Sequence, residues 1–464
     1  MNAAAGAILA PAPGQTGPAA TPGSFGGFVS AAHAAGRLVV QPRMGVSSPQ
    51  RMREGLAAVK AAAATTVGTV TLDSFTRVGD EAAARLALAG GGELNGYPLT
   101  THHPSVTRQM LDGIRDRGFP VQVRHGSAAP QAIVAALIEA GLDATEGGPV
   151  SYCLPYSRRP VRESVRNWAE CCAMLAGLRE HGAQPHLETF GGCMLGQLCP
   201  PSLLVAISVL EALFFRSHGL RSISLSYAQQ TSAQQDREAV AALHRLAAEL
   251  LPDVDRHVVL YAYMGVYPRT EEGALDLLEA AARLAVDTGS ARLIVKTTAE
   301  ARRIPTIAEN ITALEAAAGA ARRHRRQTAP APDAAHTPVA VPDTGLYAEA
   351  RALVEAVLDL DDDLGRGLTA AFERGYLDVP YCLHPDNAGR ARSYIDGEGA
   401  LRWQEVGSMP IVPDRSAAAG GRMTSATLLG SLSYVADTFD RQALGRSRTA
   451  VPSAAQPGTV PLTA

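Results

Sequence analysis

From residue 36 onward, short runs of apolar and β-branched residues alternate with longer runs whose apolar positions recur at helical spacing. The short runs are typical of buried strands, and the longer ones of amphipathic helices. The predicted strands are 38–42, 67–75, 120–123, 142–145, 186–188, 222–227, 257–263 and 292–295. The predicted helices are 50–63, 80–88, 105–117, 130–140, 162–180, 201–216, 233–250, 271–286 and 306–321. The pattern therefore predicts eight successive strand-then-helix units.

Eight such units favour an α/β fold with a closed parallel sheet, the (β/α)8 or TIM barrel, over residues 36–321. The alternative is an open, doubly wound sheet. No GxGxxG sequence follows the first predicted strand, and polar residues end the strands all the way round instead of at one switch point. The barrel is the better interpretation, and its active site is expected at the carboxyl ends of the strands.

The segments outside the barrel are interpreted from composition. Residues 1–35 are mainly alanine, glycine and proline, which predicts a disordered tail. Residues 322–344 begin with RRHRR and continue in a proline- and alanine-rich run, which predicts a solvated linker, since no aromatic residues interleave with the charges. Residues 345–443 predict a smaller α+β segment that packs on the barrel, with helical pattern over 346–374, and 444–464 a second disordered tail.

Charge and cysteine content exclude several classes of function. A net charge of -3 over 464 residues argues against general nucleic-acid binding, which needs clustered Lys and Arg. The six cysteines form no CxxC pair, so neither a metal site nor a disulfide framework is indicated. No positively charged segment opens the chain, and the longest apolar run, 203–215, is interrupted by Glu211. We expect a cytoplasmic protein without a membrane span.

Charged side chains follow or end four successive predicted strands. They are Arg43, Arg77, Arg124 and Glu146, and a closed barrel would bring them into one cleft. Two like charges about 7 Å apart repel by roughly 2 kcal/mol at an effective dielectric near 20, so three clustered arginines need anionic partners. Guanidinium groups bind carboxylates in bidentate fashion, and Glu146 remains for an ammonium group. The residues thus indicate an aspartate-like or glutamate-like ligand.

Other polar residues in the same strand-end segments leave alternatives open. Tyr152 and Tyr156 either complete a polar pocket or pack their rings. Lys296 is a Schiff-base nucleophile, a cation that binds a cofactor, or the partner of Glu300 in a plain salt bridge. His257, in an Asp-x-His sequence, is interpreted as a core residue.

Nine short motifs lie within the predicted barrel: QPRMG at 41–45, DSFTR at 73–77, LNGYP at 94–98, RHG at 124–126, EGG at 146–148, SYCLPY at 151–156, MGVYP at 264–268, VKT at 295–297 and IPT at 304–306. Taken together, these motifs resemble the epsilon subunit of glutamate mutase (methylaspartate mutase), an adenosylcobalamin-dependent isomerase, and the resemblance runs from about residue 38 to about residue 439. The family fold is a barrel, which agrees with the interpretation of the pattern.

The resemblance also implies roles for individual residues. The implied substrate-binding residues are Arg43, Arg77, Arg124, His125, Glu146, Tyr152 and Tyr156, with Glu146 and Arg124 also implied as catalytic. The implied contacts to adenosylcobalamin are Gly45, Asn95, Pro155, Tyr267, Lys296, Glu300 and Ile304.

The implied reaction interconverts L-glutamate and threo-3-methyl-L-aspartate by a radical rearrangement of the carbon skeleton. The cobalt-ligating motif Asp-x-His-x-x-Gly is absent from this sequence. The resemblance therefore implies a separate, small sigma-type cobalamin-binding subunit, and a homodimer of this chain within a heterotetramer. Two alternatives stay open: a Schiff-base lyase or aldolase that uses Lys296, and a barrel that binds an amino dicarboxylate without catalysis.

Overall fold

Eight parallel strands surround the centre of the molecule in a computed structural model that describes residues 7–9, 21–194, 198–328, 340–412 and 424–449. These strands are β2 (Val39–Gln41), β3 (Gly68–Thr71), β4 (Val121–Arg124), β5 (Ala144–Gly147), β6 (His186–Thr189), β7 (Ser222–Ala228), β8 (Asp255–Tyr261) and β9 (Arg292–Ile294). Their order in the sheet is β2-β9-β8-β7-β6-β5-β4-β3. A bridge between Val40 and Thr66 links β2 to the segment before β3, so the barrel is nearly closed. The predicted TIM barrel is confirmed.

Helices cover the outside of this sheet, and two short strand pairs lie apart from it. The helices are α1 (Phe25–Ala34), α2 (Pro49–Ala61), α3 (Ser74–Val78), α4 (Glu81–Ala89), α5 (Pro104–Leu111), α6 (Gln131–Glu139), α7 (Val161–Gly177), α8 (Pro201–Ser217), α9 (Ala233–Leu250), α10 (Glu271–Asp287), α11 (Ile307–Thr328), α12 (Leu346–Leu358), α13 (Leu364–Arg374) and α14 (Ser425–Thr449). The remaining strands are β1 (Ala7–Leu9), paired with β10 (Ala340–Pro342), and β11 (Arg392–Ile395), paired with β12 (Leu401–Glu405). Two 3-10 turns lie at Leu178–His181 and Gly191–Cys193.

The second barrel strand is shorter than predicted, because an aspartate starts a helix inside the predicted strand 67–75. Asp73 accepts hydrogen bonds from the backbone N–H groups of Phe75 at 2.9 Å and Thr76 at 3.1 Å, and so caps α3. Gly79 ends this helix in the left-handed conformation, with φ 76°. Arg77 is therefore delivered by a one-turn helix after the strand, not by the strand itself.

The prediction of disorder over residues 1–35 is wrong for helix α1, which covers the amino ends of the barrel strands. Ser24 caps the helix by accepting a hydrogen bond from Gly27 N–H at 3.0 Å. Phe25 is buried and stacks on His186, the first residue of β6, with ring centroids 4.9 Å apart. The predicted residues 1–6 and 10–20 lie outside the described part of the chain.

We expect Phe25→Ala to lower the free energy of unfolding by about 3 kcal/mol or more, because it leaves a cavity between α1 and the amino ends of the barrel strands. Phe28→Ala is the matched control, since Phe28 lies in the same helix and is only half-buried. Urea unfolding of both variants checks this. An equal loss of unfolding free energy in the two variants would contradict the conclusion that α1 packs against the amino ends of the barrel strands through Phe25.

Two further boundaries need correction. Helix α11 continues to Thr328, so residues 322–328 belong to a helix and not to the predicted linker 322–344. The tail prediction 444–464 is likewise wrong up to Thr449, where α14 ends. Asp440 in α14 accepts hydrogen bonds from the backbone N–H groups of Arg269 and Thr270, both at 2.9 Å, and so fastens α14 to the start of α10. Among the described residues, no helix is both long and apolar enough to cross a membrane.

The interior of the barrel is polar near its centre. Arg292 in β9 and Glu188 in β6 form an ion pair with both side chains fully buried. Arg292 also donates a hydrogen bond to Gln41, which in turn donates to Gln122 at 2.8 Å. Because a buried charge is stable only when it is paired and hydrogen-bonded, this network joins opposite strands and gives the site above it a rigid floor.

Candidate active site

A buried ion pair lies at the carboxyl ends of two neighbouring strands. Arg124 is the last residue of β4, Glu146 is the third residue of β5, and these strands pair in parallel. The Arg124 Nη2 atom lies 2.8 Å from Glu146 Oε2, and both side chains are 5% exposed or less. The Tyr152 hydroxyl donates a hydrogen bond to Glu146 Oε1. Two predicted site residues, Arg124 and Tyr152, therefore contact the buried carboxylate of a third, Glu146.

Two buried hydrogen-bond donors beside this pair have no acceptor among the described residues. One is Arg124 Nη1, and the other is His125 Nε2. His125 Nδ1 accepts a hydrogen bond from Ser127 N–H at 3.1 Å, so the neutral ring carries its proton on Nε2. Desolvation, together with the positive charges of Arg77 and Arg124, lowers the pKa of His125 to about 3. Buried donors without partners are rare in proteins, so both nitrogens are candidates to donate to a ligand.

The other two predicted arginines lie around the same cleft but do not contact Glu146. The Arg77 Nε atom donates to the carbonyl oxygen of Leu72 at 3.1 Å. Arg43 Nη1 lies 3.8 Å from Glu300 Oε2. Desolvation raises the pKa of the Tyr156 hydroxyl, and the positive charges of Arg43 and Arg77 partly offset that rise. Both guanidinium groups thus lie close enough to Tyr156 to act on its hydroxyl, and Arg77 also acts on His125.

An outer group of predicted residues follows β9. Lys296 Nζ lies 3.6 Å from Glu300 Oε2 and 5.0 Å from the centre of the Tyr267 ring. Burial and the nearby charge of Arg43 lower the pKa of Lys296 to about 8. The Tyr267 hydroxyl is buried and has no hydrogen-bond partner in the described part of the chain. Glu300 lies near both Lys296 and Arg43, so it connects this outer group to the arginines of the cleft.

The remaining predicted cofactor residues occupy different positions on the rim. Gly45 packs so closely on Thr71 that a Cβ atom would lie 2.1 Å from its carbonyl oxygen. Asn95 accepts a hydrogen bond from Ser74 N–H at 2.9 Å. Pro155 is half-buried in the loop that holds both tyrosines, and Ile304 is 63% exposed. Packing against the protein itself requires a glycine at 45, independent of any cofactor.

Sequence reasoning missed Tyr261, the last residue of β8. Its hydroxyl lies 2.8 Å from Glu146 Oε2 and 3.2 Å from Arg124 Nη2, and it also donates to Glu188 on the barrel floor. The sequence did place Tyr261 within a predicted barrel strand, 257–263. Its polar contacts join residues more than a hundred positions apart, however, and no local pattern reveals them.

Glu211 was noted only as an interruption of an apolar run, yet it fastens two loops of the site. Its carboxylate accepts backbone hydrogen bonds from Val150 and Ser151 after β5, and from Phe190 and Gly191 after β6, at 2.8 to 3.3 Å. Burial raises the pKa of Glu211 from its ordinary 4.5 to about 7. A single carboxylate in helix α8 thus positions the loop that follows Glu146.

The raised pKa of Glu211 predicts a pH dependence of stability. Between pH 4.5 and about 7, the folded chain retains a proton that the unfolded chain has released. The stabilising contribution of Glu211 is therefore fully present below pH 4.5 and is lost as the pH rises to about 7. Between pH 5 and pH 7, we expect the wild type to lose about 2 to 3 kcal/mol more of its free energy of unfolding than Glu211→Gln. Urea unfolding at both pH values checks this, and parallel pH profiles would contradict it.

Comparison with known proteins gives the family. The model of the family described as methylaspartate mutase E chain matches residues 21–426. The chain belongs to this family. It is 31% identical to a glutamate mutase epsilon subunit of Escherichia coli O157:H7 over 391 residues, which cover 82% of this chain and 79% of the relative. An epsilon subunit of Desulfitobacterium hafniense is 30% identical, with 82% and 79% covered, and one of Halobacterium salinarum is 30% identical, with 83% and 80% covered.

Membership in this family supports a mutase activity for the barrel, as a component of a glutamate mutase. The relatives are named epsilon subunits, a name that denotes one subunit of a multisubunit enzyme. The matched region includes every predicted site residue and both missed residues, Glu211 and Tyr261. Within the described residues, no group of three or more His, Cys, Asp and Glu side chains is arranged to hold a metal ion.

Proposed function

We propose that this chain is the catalytic barrel subunit of an adenosylcobalamin-dependent glutamate mutase, which interconverts L-glutamate and threo-3-methyl-L-aspartate. The observation that carries the proposal is the buried Arg124–Glu146 pair, in which Arg124 Nη1 and the neighbouring His125 Nε2 have no acceptor among the described residues. A carboxylate that binds these two donors lies next to Glu146. An amino acid with a second carboxylate group fits this arrangement.

The charges of the cleft fit the same ligand. Arg43, Arg77, Arg124 and Glu146 sum to +2, and an amino dicarboxylate with charge -1 reduces this to +1. A carboxylate has about four acceptor sites, and Glu146 uses at most three of them, for Arg124, Tyr152 and, when its proton is not on Glu188, Tyr261. One site thus remains for the ammonium group. Glu146 would hold the amino group and accept its proton, while the arginines keep the substrate from drifting during the rearrangement.

Residues at the rim fit a large polar cofactor. The buried Tyr267 hydroxyl lacks a partner among the described residues, and Lys296 beside it is a buried cation with three donors. Gly45, Asn95, Pro155, Glu300 and Ile304 would complete the contacts to adenosylcobalamin. When bound, this cofactor supplies the carbon-centred radical that removes a hydrogen atom from the substrate. The protein binds and orients the substrate and excludes water from Arg124 and Glu146, which are both buried.

The sequence lacks the cobalt-ligating Asp-x-His-x-x-Gly motif, so we propose a small sigma-type subunit as the cobalamin-binding partner. A homodimer of this chain within a heterotetramer would be the assembly, located in the cytoplasm. The test combines the purified chain with a cognate small subunit, adenosylcobalamin and L-glutamate. We expect 3-methylaspartate to form. Its absence, while a known subunit pair is active under the same conditions, would refute the proposed activity.

A Schiff-base lyase or aldolase is the second candidate, because the pKa of Lys296 is lowered to about 8 and a neutral amine is the nucleophile in such enzymes. Against it, Lys296 lies beside Glu300 and the Tyr267 ring, whereas the two unpartnered nitrogen donors that can bind a carboxylate lie elsewhere, at Arg124 and His125. Treatment with borohydride and a carbonyl substrate separates the two functions. A stable adduct on Lys296 would favour the lyase, and the mutase forms none.

A further inference from the structure

Tyr261 contacts both members of the buried ion pair from below. Its hydroxyl lies 2.8 Å from Glu146 Oε2 and 3.2 Å from Arg124 Nη2, and the Arg124 guanidinium carbon lies 5.0 Å from the centre of its ring. The same hydroxyl is within hydrogen-bond distance of Glu188, which pairs with the fully buried Arg292, so its single proton serves either Glu146 or Glu188. The hydroxyl thus connects the rigid floor of the barrel with the proposed substrate site.

The Arg124–Glu146 pair is held in an open form. A buried guanidinium and a carboxylate favour a bidentate fork with two parallel hydrogen bonds. Here a single arm is joined, Nη2 to Oε2, while Nη1 has no partner among the described residues. The second carboxylate oxygen, Oε1, accepts the Tyr152 hydroxyl. The Tyr261 hydroxyl lies beside Oε2, and when its single proton points to Glu146 instead of Glu188, one tyrosine hydroxyl holds each oxygen of Glu146. These two hydrogen bonds oppose the rotation of Glu146 that would close the fork.

We propose that Tyr261 is a positioning residue that keeps the Arg124–Glu146 pair open for substrate. With the hydroxyl in place, Arg124 Nη1 is available to a substrate carboxylate, and Glu146 keeps one acceptor site for the ammonium group. Without the hydroxyl, Glu146 rotates and binds Arg124 Nη1. Neither Nη1 nor the free acceptor site of Glu146 is then available to the substrate. The inference rests on the proposed function to the extent that it takes the ligand to be an amino dicarboxylate.

Tyr261→Phe tests this, because phenylalanine keeps the ring under Arg124 and removes the hydroxyl alone. The probe is glutarate, a dicarboxylate without an amino group, whose binding depends on Arg124 Nη1 and not on an ammonium contact. Its Kd is measured by isothermal titration on the full chain. We expect Tyr261→Phe to weaken glutarate binding about tenfold or more, since a closed fork adds one charge-assisted hydrogen bond that the ligand must break.

The deciding measurement is the double variant. Glu146→Gln cannot form an ionic fork with Arg124, so we expect it to bind glutarate at least as tightly as the wild type. Adding Tyr261→Phe to Glu146→Gln should then change the Kd by no more than about twofold, within the error of independent sites. If the Tyr261 hydroxyl only stabilised the fold, Tyr261→Phe would weaken glutarate binding equally in the wild type and in Glu146→Gln. That result, or an unchanged Kd for Tyr261→Phe alone, overturns the proposal.

Tyr227→Phe is the matched control, because Tyr227 is also fully buried and its hydroxyl donates to Asp236 at 2.9 Å, away from Arg124 and Glu146. We expect it to leave the Kd of glutarate unchanged. The proposed activity is judged separately, by formation of 3-methylaspartate in the reconstituted complex. Glutarate binding that follows the expected pattern without any methylaspartate would refute the activity and leave the role of Tyr261 standing.

Discussion

Replacement of Arg124 by lysine is expected to lower kcat/KM for L-glutamate by about 10² or more. Arg124 binds Glu146 through Nη2, while the buried Nη1 has no partner in the part of the chain that the structure describes. A lysine ammonium is a compact charge without the planar fork of a guanidinium group, so it cannot bind Glu146 and a substrate carboxylate in the same way at once. Losing about two charge-assisted hydrogen bonds costs roughly 3 kcal/mol or more, which is about two orders of magnitude in rate.

Steady-state kinetics of the reconstituted enzyme check this prediction. Arg256→Lys is the control, because Arg256 is a buried arginine at the amino end of β8, where it donates to the carbonyl oxygen of Leu251 at 2.8 Å. It should retain activity. A similar loss for both variants would point to general destabilisation, and an unchanged rate for Arg124→Lys would remove Arg124 from the site.

Glu146→Gln is expected to lower kcat/KM for L-glutamate by about 10² to 10³. The change removes the one negative charge that faces the proposed ammonium group, and it leaves Arg124 without its buried partner. Loss of one member of a buried, hydrogen-bonded charge pair typically costs about 2 to 5 kcal/mol. The amide keeps nearly the same shape and still accepts from Tyr152, so the fold should persist.

The ligand itself provides the control for Glu146→Gln. If Glu146 recognises the amino group, the variant loses affinity for L-glutamate and keeps its affinity for glutarate. Isothermal titration with the two compounds measures this difference. Equal losses for both ligands would mean that Glu146 supports the carboxylate-binding arginines alone and does not meet an ammonium group.

The alternation of apolar and amphipathic runs was sufficient to predict the barrel, because parallel strands buried on both faces leave a strong local signal. Local signals also existed for two features that were missed. Ser24 precedes Phe25, Phe28 and Val29, which have the spacing of a capped amphipathic helix, but the surrounding alanines and glycines favoured disorder. Asp73 is a helix cap inside an apolar run that was interpreted as strand throughout.

The contacts that build the site depend on the tertiary structure. Glu211 and Ser151 are sixty positions apart, and Tyr261 and Glu146 are 115 apart, so neither pairing follows from local spacing. The strand-end positions of Arg124 and Glu146 did predict that these two would be neighbours. Their direct ion pair was not expected, because the charges were assigned to a ligand.

The most direct test of the central claim is a crystal structure of the chain with L-glutamate bound. The account predicts one carboxylate on Arg124 Nη1 and His125 Nε2, the second on the side of Arg43 and Arg77, and the ammonium group on Glu146. A ligand whose carboxylates lie away from these arginines, or whose ammonium group does not contact Glu146, would contradict it.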